Sequence, residues 1–252
     1  MPRSMNSRPR HSKALPALAI FAREPVPGKA KTRLISLLGP RGAADFHSAL
    51  VSDTLQKVNA LGARVSPYFF LAGRKFPVSS SLSDYKLKRQ RGADLGARLE
   101  SAFEALFKHH DRALVTGTDS PLLAGRVLLR ALEKLRASDA VLGPCPDGGF
   151  YLVGLRRLTP GLFEGVRWGS EWAFEDMRAN LQTHGFSCLI LETVEDVDRA
   201  EDVARLKDLL AASAASRRVA PSAWRFLRDF FALEVQGKKR KMERPSNPPT
   251  DR

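Results

Sequence analysis

The run Arg23-Glu-Pro-Val-Pro-Gly-Lys-Ala-Lys-Thr-Arg33 sets three cations, Lys29, Lys31 and Arg33, directly behind Pro25, Pro27 and Gly28. Prolines and a glycine stop a strand and shape a loop. Cations at the start of the helix that follows, where backbone N–H groups are free, suit a phosphate chain. The glycine-rich phosphate loop of nucleotide hydrolases is not the template, because with Lys31 as its lysine the two required glycine positions hold Pro25 and Ala30. A solvated basic loop is the competing reading. Thr32 and Leu34, embedded in the run, argue for an ordered one.

Three further clusters carry carboxylates or paired glycines. Gly117-Thr-Asp-Ser-Pro121 follows a short apolar run and puts Asp119 at a strand end. A magnesium–nucleotide complex needs only one or two protein carboxylates, because waters and phosphates complete the octahedron. Helix capping by Asp119 or Ser120 is the alternative. Pro144-Cys-Pro-Asp-Gly-Gly-Phe-Tyr151 contains the hairpin signal Asp147-Gly148, and Gly148-Gly149 also lets a ligand approach the backbone closely. In Glu195-Asp-Val-Asp-Arg-Ala-Glu-Asp202, Asp196 and Asp198 fall on one side of an extended segment. Either could share a metal with Asp119, or cap the next helix. Two lesser motifs complete the set. In Gln90-Arg-Gly-Ala-Asp-Leu-Gly-Ala-Arg98, Asp94 and Arg98 are an i,i+4 pair or ligand contacts. Trp168-Gly-Ser170 suits closure over a substrate, or a cap by Ser170.

The elements that must position these groups alternate along the chain. Apolar runs predict strands over 17–22, 65–71, 113–116, 140–142, 150–154 and 187–191. Amphipathic runs predict helices from about 31 to 61 and over 92–108, 122–136, 170–183 and 199–210, while 79–90 reads as loop. Strand–helix alternation of this kind means an α/β domain with a mostly parallel central sheet and helices on both faces. Such sheets bind ligands beyond the carboxyl ends of their strands, where the clusters lie.

Composition narrows the class. The chain has 252 residues and a formal net charge of +14. Residues 1–13 hold four of those charges and 217–252 a net six, so the 203 residues between carry only +4. The tails account for the basicity. The Lys238-Lys-Arg-Lys241 run is therefore read as solvated tail in preference to a nucleic-acid site. Cys145 and Cys188 have no paired spacing, which speaks against a disulfide framework or a cysteine zinc site and fits a reducing, cytoplasmic setting. No apolar run reaches the ~18–20 residues of a membrane span, and the short run 14–22 reads as a first strand despite its likeness to a signal peptide. The resulting division is a basic N-terminal tail over 1–15, a catalytic-type domain over 16–212, a helical extension over 213–236 and a disordered basic tail over 237–252. In the extension, Trp224, Leu227, Phe230, Phe231 and Val235 recur at helical spacing and would dock on the domain or in a homodimer.

The order Pro-Gly-x-x-Lys-Thr-Arg-Leu (27–34), Asp-Leu-Gly-x-Arg-Leu (94–99), Gly-Thr-Asp-Ser-Pro-x-Leu (117–123), Asp-Gly-Gly-Phe-Tyr-Leu (147–152) and Asp-Val-Asp-x-x-Glu-Asp (196–202) resembles the DUF2064 family. That family carries a glycosyltransferase label and is similar to the 2-phospho-lactate guanylyltransferases of the nucleotide-diphospho-sugar transferase superfamily. The resemblance spans about residues 16–211, with Arg199-Ala200 where Thr-Pro is frequent. It implies a GT-A, Rossmann-like fold and a Mg²⁺- or Mn²⁺-dependent transferase acting on a nucleoside triphosphate or nucleotide sugar and a small-molecule acceptor. By that analogy Pro27, Gly28, Lys31, Arg33, Asp94 and Arg98 bind the nucleotide. Lys31, Arg33 and Asp119 are catalytic, and Asp119 and Asp198 hold the metal. Ser120, Asp147, Gly148, Gly149, Trp168 and Ser170 face the acceptor. Nucleotidyl transfer with pyrophosphate release fits the cationic loop; glycosyl transfer fits the family label; a non-catalytic nucleic-acid binder is the remote third reading.

Overall fold

A computed structural model describes residues 14–75 and 82–242, with side chains described as far as 233. Strand β1 (Ala17–Arg23) is buried at every position but the last, as a strand covered on both faces must be. Alternate side chains serve opposite faces. Leu18 and Ile20 join the layer formed by α1 (Ile35–Asn59) and α3 (Gly125–Lys134). Ala17, Ala19 and Phe21 join the layer formed by α2 (Leu95–Phe107) and α4 (Ala173–Thr183).

Seven strands form the sheet. The others are β2 (Ser66–Ala72), β3 (Lys86–Arg89), β4 (Ala113–Thr116), β5 (Ala140–Pro144), β6 (Phe150–Leu155) and β7 (Cys188–Ile190), in the order β3-β2-β1-β4-β6-β5-β7. Only β6 runs antiparallel to its neighbours. The mostly parallel α/β expectation is met, and the Asp147-Gly148 turn does close a hairpin, β5–β6.

Two boundaries differ from expectation. The stretch read as loop over 79–90 contains β3, whose four residues are all exposed at the sheet edge; an edge strand with no buried face leaves no apolar alternation to read. Residues 76–81 of that stretch lie outside the described residues. After the short helix α6 (Ala214–Val219), the C-terminal helix α7 (Pro221–Met242) runs six residues beyond the expected end of the extension at 236. Lys and Arg are good helix formers, so a basic run need not end a helix. Residues 1–13 and 243–252 of the expected tails lie outside the described residues.

The apolar stripe of the extension finds its partner within the chain. Ala220, Ala223 and Leu227 pack fully buried against Phe46 and Leu50 of α1 and Leu206 and Leu210 of α5 (Ala200–Ala212), with Trp224, Phe226, Phe230 and Phe231 half-buried around them. The stripe therefore gives no support to a homodimer. Among the described residues no helix is long and apolar enough to cross a membrane.

Candidate functional site

Because β1 to β5 and β7 share direction apart from β6, the loops after β1, β3, β4, β5 and β7 emerge on one sheet edge. All four chemical clusters of the sequence meet there.

Lys31 is the centre of the site. Its Nζ lies 2.7 Å from Asp119 Oδ1 and 2.7 Å from Asp198 Oδ1, and donates to the Val197 carbonyl at 2.6 Å. One side chain thus ties the β1 loop to the end of β4 and to the segment before α5. Its side chain is only 5% exposed. Burial works to discharge the amine, but the two carboxylates outweigh it and raise its pKa. Burial likewise opposes charge on Asp119, and Lys31 again prevails, holding that carboxyl below its usual range. Lys31 adopts φ 48, ψ 48, and among the described residues no other non-glycine has positive φ. A left-handed lysine costs on the order of 1 kcal/mol and persists where the surroundings dictate it. The amine expected on phosphate spends its contacts on the carboxylates instead.

The carboxylates are built in place by their neighbours. The Asp119 carbonyl accepts the Val197 N–H at 2.9 Å. Asp202 Oδ2 accepts the N–H groups of Asp198 at 3.0 Å and Arg199 at 2.7 Å, so Asp202 caps α5 and Asp198 is left free for the site. Asp119 does not cap α3 either: that helix starts at Gly125 with no side-chain cap. Asp119 Oδ1 is buried, yet the side chain is 48% exposed, so Oδ2 carries the exposure.

A cavity of about 700 Å³ opens over these groups. Lys29, Lys31 and Arg33 line it, as do Asp94, Arg98, Asp119 and Asp198, and on the far side Asp147, Gly149, Trp168 and Ser170. Most of the expected residues are therefore gathered in one place. Asp94 accepts the Ala97 N–H at 2.8 Å and caps α2, while Arg98 Nε donates to the Gly92 carbonyl at 3.1 Å; both shape the wall instead of pairing with each other. Trp168 packs edge-on to Phe150 and over Gly96, where a Cβ would stand 2.8 Å from the indole nitrogen. Pro27, Gly28 and Ser120 line neither this cavity nor the next. Gly28, at φ 78, makes the turn that delivers Lys29 and Ala30 to the Val26 carbonyl, and Ser120 is buried.

A second cavity, about 870 Å³, adjoins the first along Arg33, Asp147 and Asp198 and extends over Gly148, Trp172 and Asp196. Gly148, at φ 84, is pressed against the 171–174 backbone: a Cβ there would lie 1.9 Å from the Glu171 carbonyl oxygen, and the Gly148 carbonyl accepts the Phe174 N–H at 2.9 Å. Burial, then the nearby Asp147 and Asp198, push the Asp196 carboxyl up to about 6.

His47 and Gln90, neither of them among the residues expected at the site, also line the first cavity. His47, buried in mid-helix, has Nε2 3.0 Å from the Arg23 carbonyl; that contact needs the proton on Nε2 and leaves Nδ1 buried without a partner. Burial lowers its pKa and keeps it neutral. Gln90 donates from Nε2 to the carbonyls of Ala22 at 3.1 Å and Phe70 at 3.0 Å. Two carbonyls around that atom fix the amide orientation, and no hydrogen bond reaches its Oε1 among the described residues.

Comparison with known proteins agrees with this architecture. A family model described as an uncharacterized protein conserved in bacteria, DUF2064, matches residues 54–170, which bears out the resemblance read from the motifs. The 2-phospho-L-lactate guanylyltransferase of Methanothermobacter thermautotrophicus is 25% identical over 182 residues, 70% of this chain and 78% of its own length. A crystal structure from Desulfovibrio desulfuricans G20, described as a candidate nucleotide-diphospho-sugar transferase, superposes with a TM-score of 0.77 at 28% identity, covering 87% of this chain and 96% of its own. The 4-diphosphocytidyl-2C-methyl-D-erythritol synthase of Anaerococcus prevotii shares the fold alone, with a TM-score of 0.51 at 10% identity over 78% of this chain and 96% of its own. The sheet and its helices are those of the nucleotide-diphospho-sugar transferase fold, and these relatives carry transferase or synthase names.

Proposed function

We propose that this chain is a nucleotidyltransferase that moves a nucleoside monophosphate from a triphosphate to a phosphorylated small molecule and releases pyrophosphate. The observation that carries the reading is the pair of carboxylates, Asp119 and Asp198, drawn together by the buried Lys31 beneath a loop that offers Lys29 and Arg33 to the same cavity. The guanylyltransferase name of the Methanothermobacter relative points the same way.

A divalent cation, Mg²⁺ or Mn²⁺, fits the donor set. Both side chains remain partly exposed, 48% for Asp119 and 36% for Asp198, and carboxylate oxygens with water and phosphate make the octahedron such ions prefer. Such an ion, when bound, would offset charge on the triphosphate. Lys31 keeps the two acids together against their mutual repulsion. Lys29 and Arg33 line the cavity as cations suited to the β- and γ-phosphates, which depart as pyrophosphate. The acceptor's phosphate oxygen, already anionic, attacks the α-phosphorus as the bond to the β-phosphate breaks, so no general base is called for. Positioning and charge neutralisation supply the rate. Gln90 Oε1 is an acceptor available to a base N–H. The acceptor would enter over the Asp147-Gly148-Gly149 turn and Ser170. The free thiols of Cys145 and Cys188 accord with a cytoplasmic setting.

Glycosyl transfer from a nucleotide sugar is the second reading, favoured by the description of the Desulfovibrio structure. One assay separates them. Each of the four nucleoside triphosphates is incubated with Mg²⁺ and a set of phosphorylated hydroxy acids and alcohols, and pyrophosphate is measured. Acceptor-dependent pyrophosphate supports the proposal. Sugar transfer from a nucleotide sugar, with no pyrophosphate from any triphosphate, overturns it.

A further inference from the structure

Helix α1 carries two ionisable side chains, one turn apart, that the proposed chemistry leaves unused. Asp53 has no exposed surface. Its carboxylate accepts the N–H of Ser222 at 2.7 Å and of Ala223 at 2.9 Å. Those amides belong to the first turn of α7, where no intrahelical partner exists, so α7 is capped by a residue of a different helix. Pro221, ahead of them, has no N–H to satisfy.

Four residues further along α1, Lys57 Nζ donates to the Pro121 carbonyl at 2.5 Å. Pro121 closes the turn that holds Asp119. Its first residue is held by the sheet, where the Gly117 N–H donates to the Tyr151 carbonyl at 3.1 Å, and three contacts from elsewhere in the chain hold the part from Asp119 to Pro121. The Asp119 carboxylate meets Lys31, the Asp119 carbonyl accepts from Val197, and the Pro121 carbonyl accepts from Lys57. The first two contacts come from the segments that also build the site. The third is the only one of these three that comes from α1, and Asp53 stands beside it on that helix. Burial draws the Lys57 amine down to about 8, against the pull of Asp53 in the other direction. Asp53 in turn is raised by burial, with the α7 amides and Lys57 opposing.

We propose that Lys57 is a positioning residue for Asp119, and that α7, docked on Asp53, is part of the same device. This inference rests on the reading of Asp119 as a group that faces a metal-bound phosphate. In it, Lys57 holds the 117–121 turn at the distance from α1 that lets Asp119 meet Lys31 and Asp198 together. Asp53 keeps Lys57 charged and pointed at Pro121 while it caps α7. The C-terminal helix thereby becomes a structural partner of the site although it contributes no residue to the cavity.

The test is Mn²⁺ binding to the full chain in the presence of each nucleoside triphosphate in turn, read from the electron paramagnetic resonance of free Mn²⁺ against the same titration without protein. Wild type, Lys57→Met, Lys57→Arg and Asp53→Asn are compared, with circular dichroism confirming fold at the assay temperature. Groups that orient metal ligands from behind change metal affinity by roughly 10–100-fold. Lys57→Met is expected to weaken Mn²⁺ binding by at least about tenfold on that scale. Lys57→Arg, which keeps a donor, recovers most of the loss, and Asp53→Asn gives a smaller loss in the same direction. If Lys57→Met does not fold, Lys57→Gln takes its place in the same titration. A folded Lys57→Met or Lys57→Gln with wild-type Mn²⁺ affinity overturns the inference, even if its melting temperature falls. Wild type that binds no Mn²⁺ with any of the four nucleoside triphosphates overturns the reading of the site itself, and this inference with it.

Discussion

The two cavities that meet along Arg33, Asp147 and Asp198 are built on opposite electrostatic plans. In the first, acids and cations are paired. Lys31 serves both Asp119 and Asp198, Asp94 is taken up in capping α2, and Lys29 and Arg33 add positive charge at the rim. In the second, carboxylates crowd. Burial first, and then repulsion from Asp147 and Asp198, brings Asp196 to about 6, and the nearby Arg205 is committed to Asp202 at 2.6 Å. The first cavity is poised for a polyanion. The second is poised for whatever brings positive charge or a proton to its acids. The supports differ as well: the first hangs on strand ends and one strained lysine, the second on a glycine turn wedged against another loop.

The contrast can be broken from either side. Lys31→Met should have the largest effect, because it leaves two neighbouring carboxylates without their cation. Because both carboxylates are partly exposed, the stability cost should stay below the about 3–5 kcal/mol of a fully buried pair, while loss of a preorganised charge at a reacting centre costs roughly 10²–10³ in turnover. Thermal melts and steady-state pyrophosphate release would show both. Should Lys31→Met keep wild-type turnover, the lysine is not what holds the first cavity in working order.

Gly148→Ala comes next. Its Cβ would meet the Glu171 carbonyl at 1.9 Å, a backbone atom that cannot swing aside, and the residue would keep a positive φ. The turn must leave the 171–174 segment and lose the Phe174 contact, at a cost of about 2–4 kcal/mol. Triphosphate affinity, which belongs to the other cavity, should change little. A large loss of triphosphate affinity in a folded variant would show that the two cavities are not separable.

The smallest effect is expected from Asp196→Asn, measured in EDTA. The folded-state pKa of Asp196 is raised from 3.8 to about 6. The folded protein therefore holds the proton more tightly, and wild type loses stability as pH rises from about 4 through about 6. An asparagine carries no charge to lose. The variant should melt higher than wild type above pH about 6 and show no advantage below about 4. An advantage that persists at low pH would mean that the charge on Asp196, disfavoured by burial and by its acidic neighbours, is not the cause.

Much of this molecule is legible in its sequence because its chemistry sits where apolar runs end. Strands β1, β2 and β4 are near-continuous apolar segments, so their carboxyl ends, and Asp119 with them, can be located without coordinates. Strand β3 cannot: Lys86-Leu-Lys-Arg89 is exposed throughout, and even Leu87 is 43% exposed. The partners of Lys31 were equally hidden. Asp198 is 167 residues away, and nothing local distinguishes a lysine bound for phosphate from one bound for carboxylates. His47 and Asp53 are polar residues in the middle of α1, and their roles appear only when Arg23 and α7 are brought against them. Gln90 opens the motif that holds Asp94 and Arg98, but its value depends on reaching across to β1 and β2. The apolar stripe of α7 was plain; that α1 and α5 cover it was not.

The central claim is that Lys31, Asp119 and Asp198 form a metal–triphosphate centre. Thermal stabilisation by GTP and the other triphosphates, with and without Mg²⁺, in wild type and Asp119→Asn, tests it most directly. At a hundredfold excess over Kd, binding raises stability by about 2.7 kcal/mol. The account predicts a shift with at least one triphosphate that requires Mg²⁺ and disappears in Asp119→Asn. A shift of equal size without Mg²⁺, or one that survives the substitution, would contradict it.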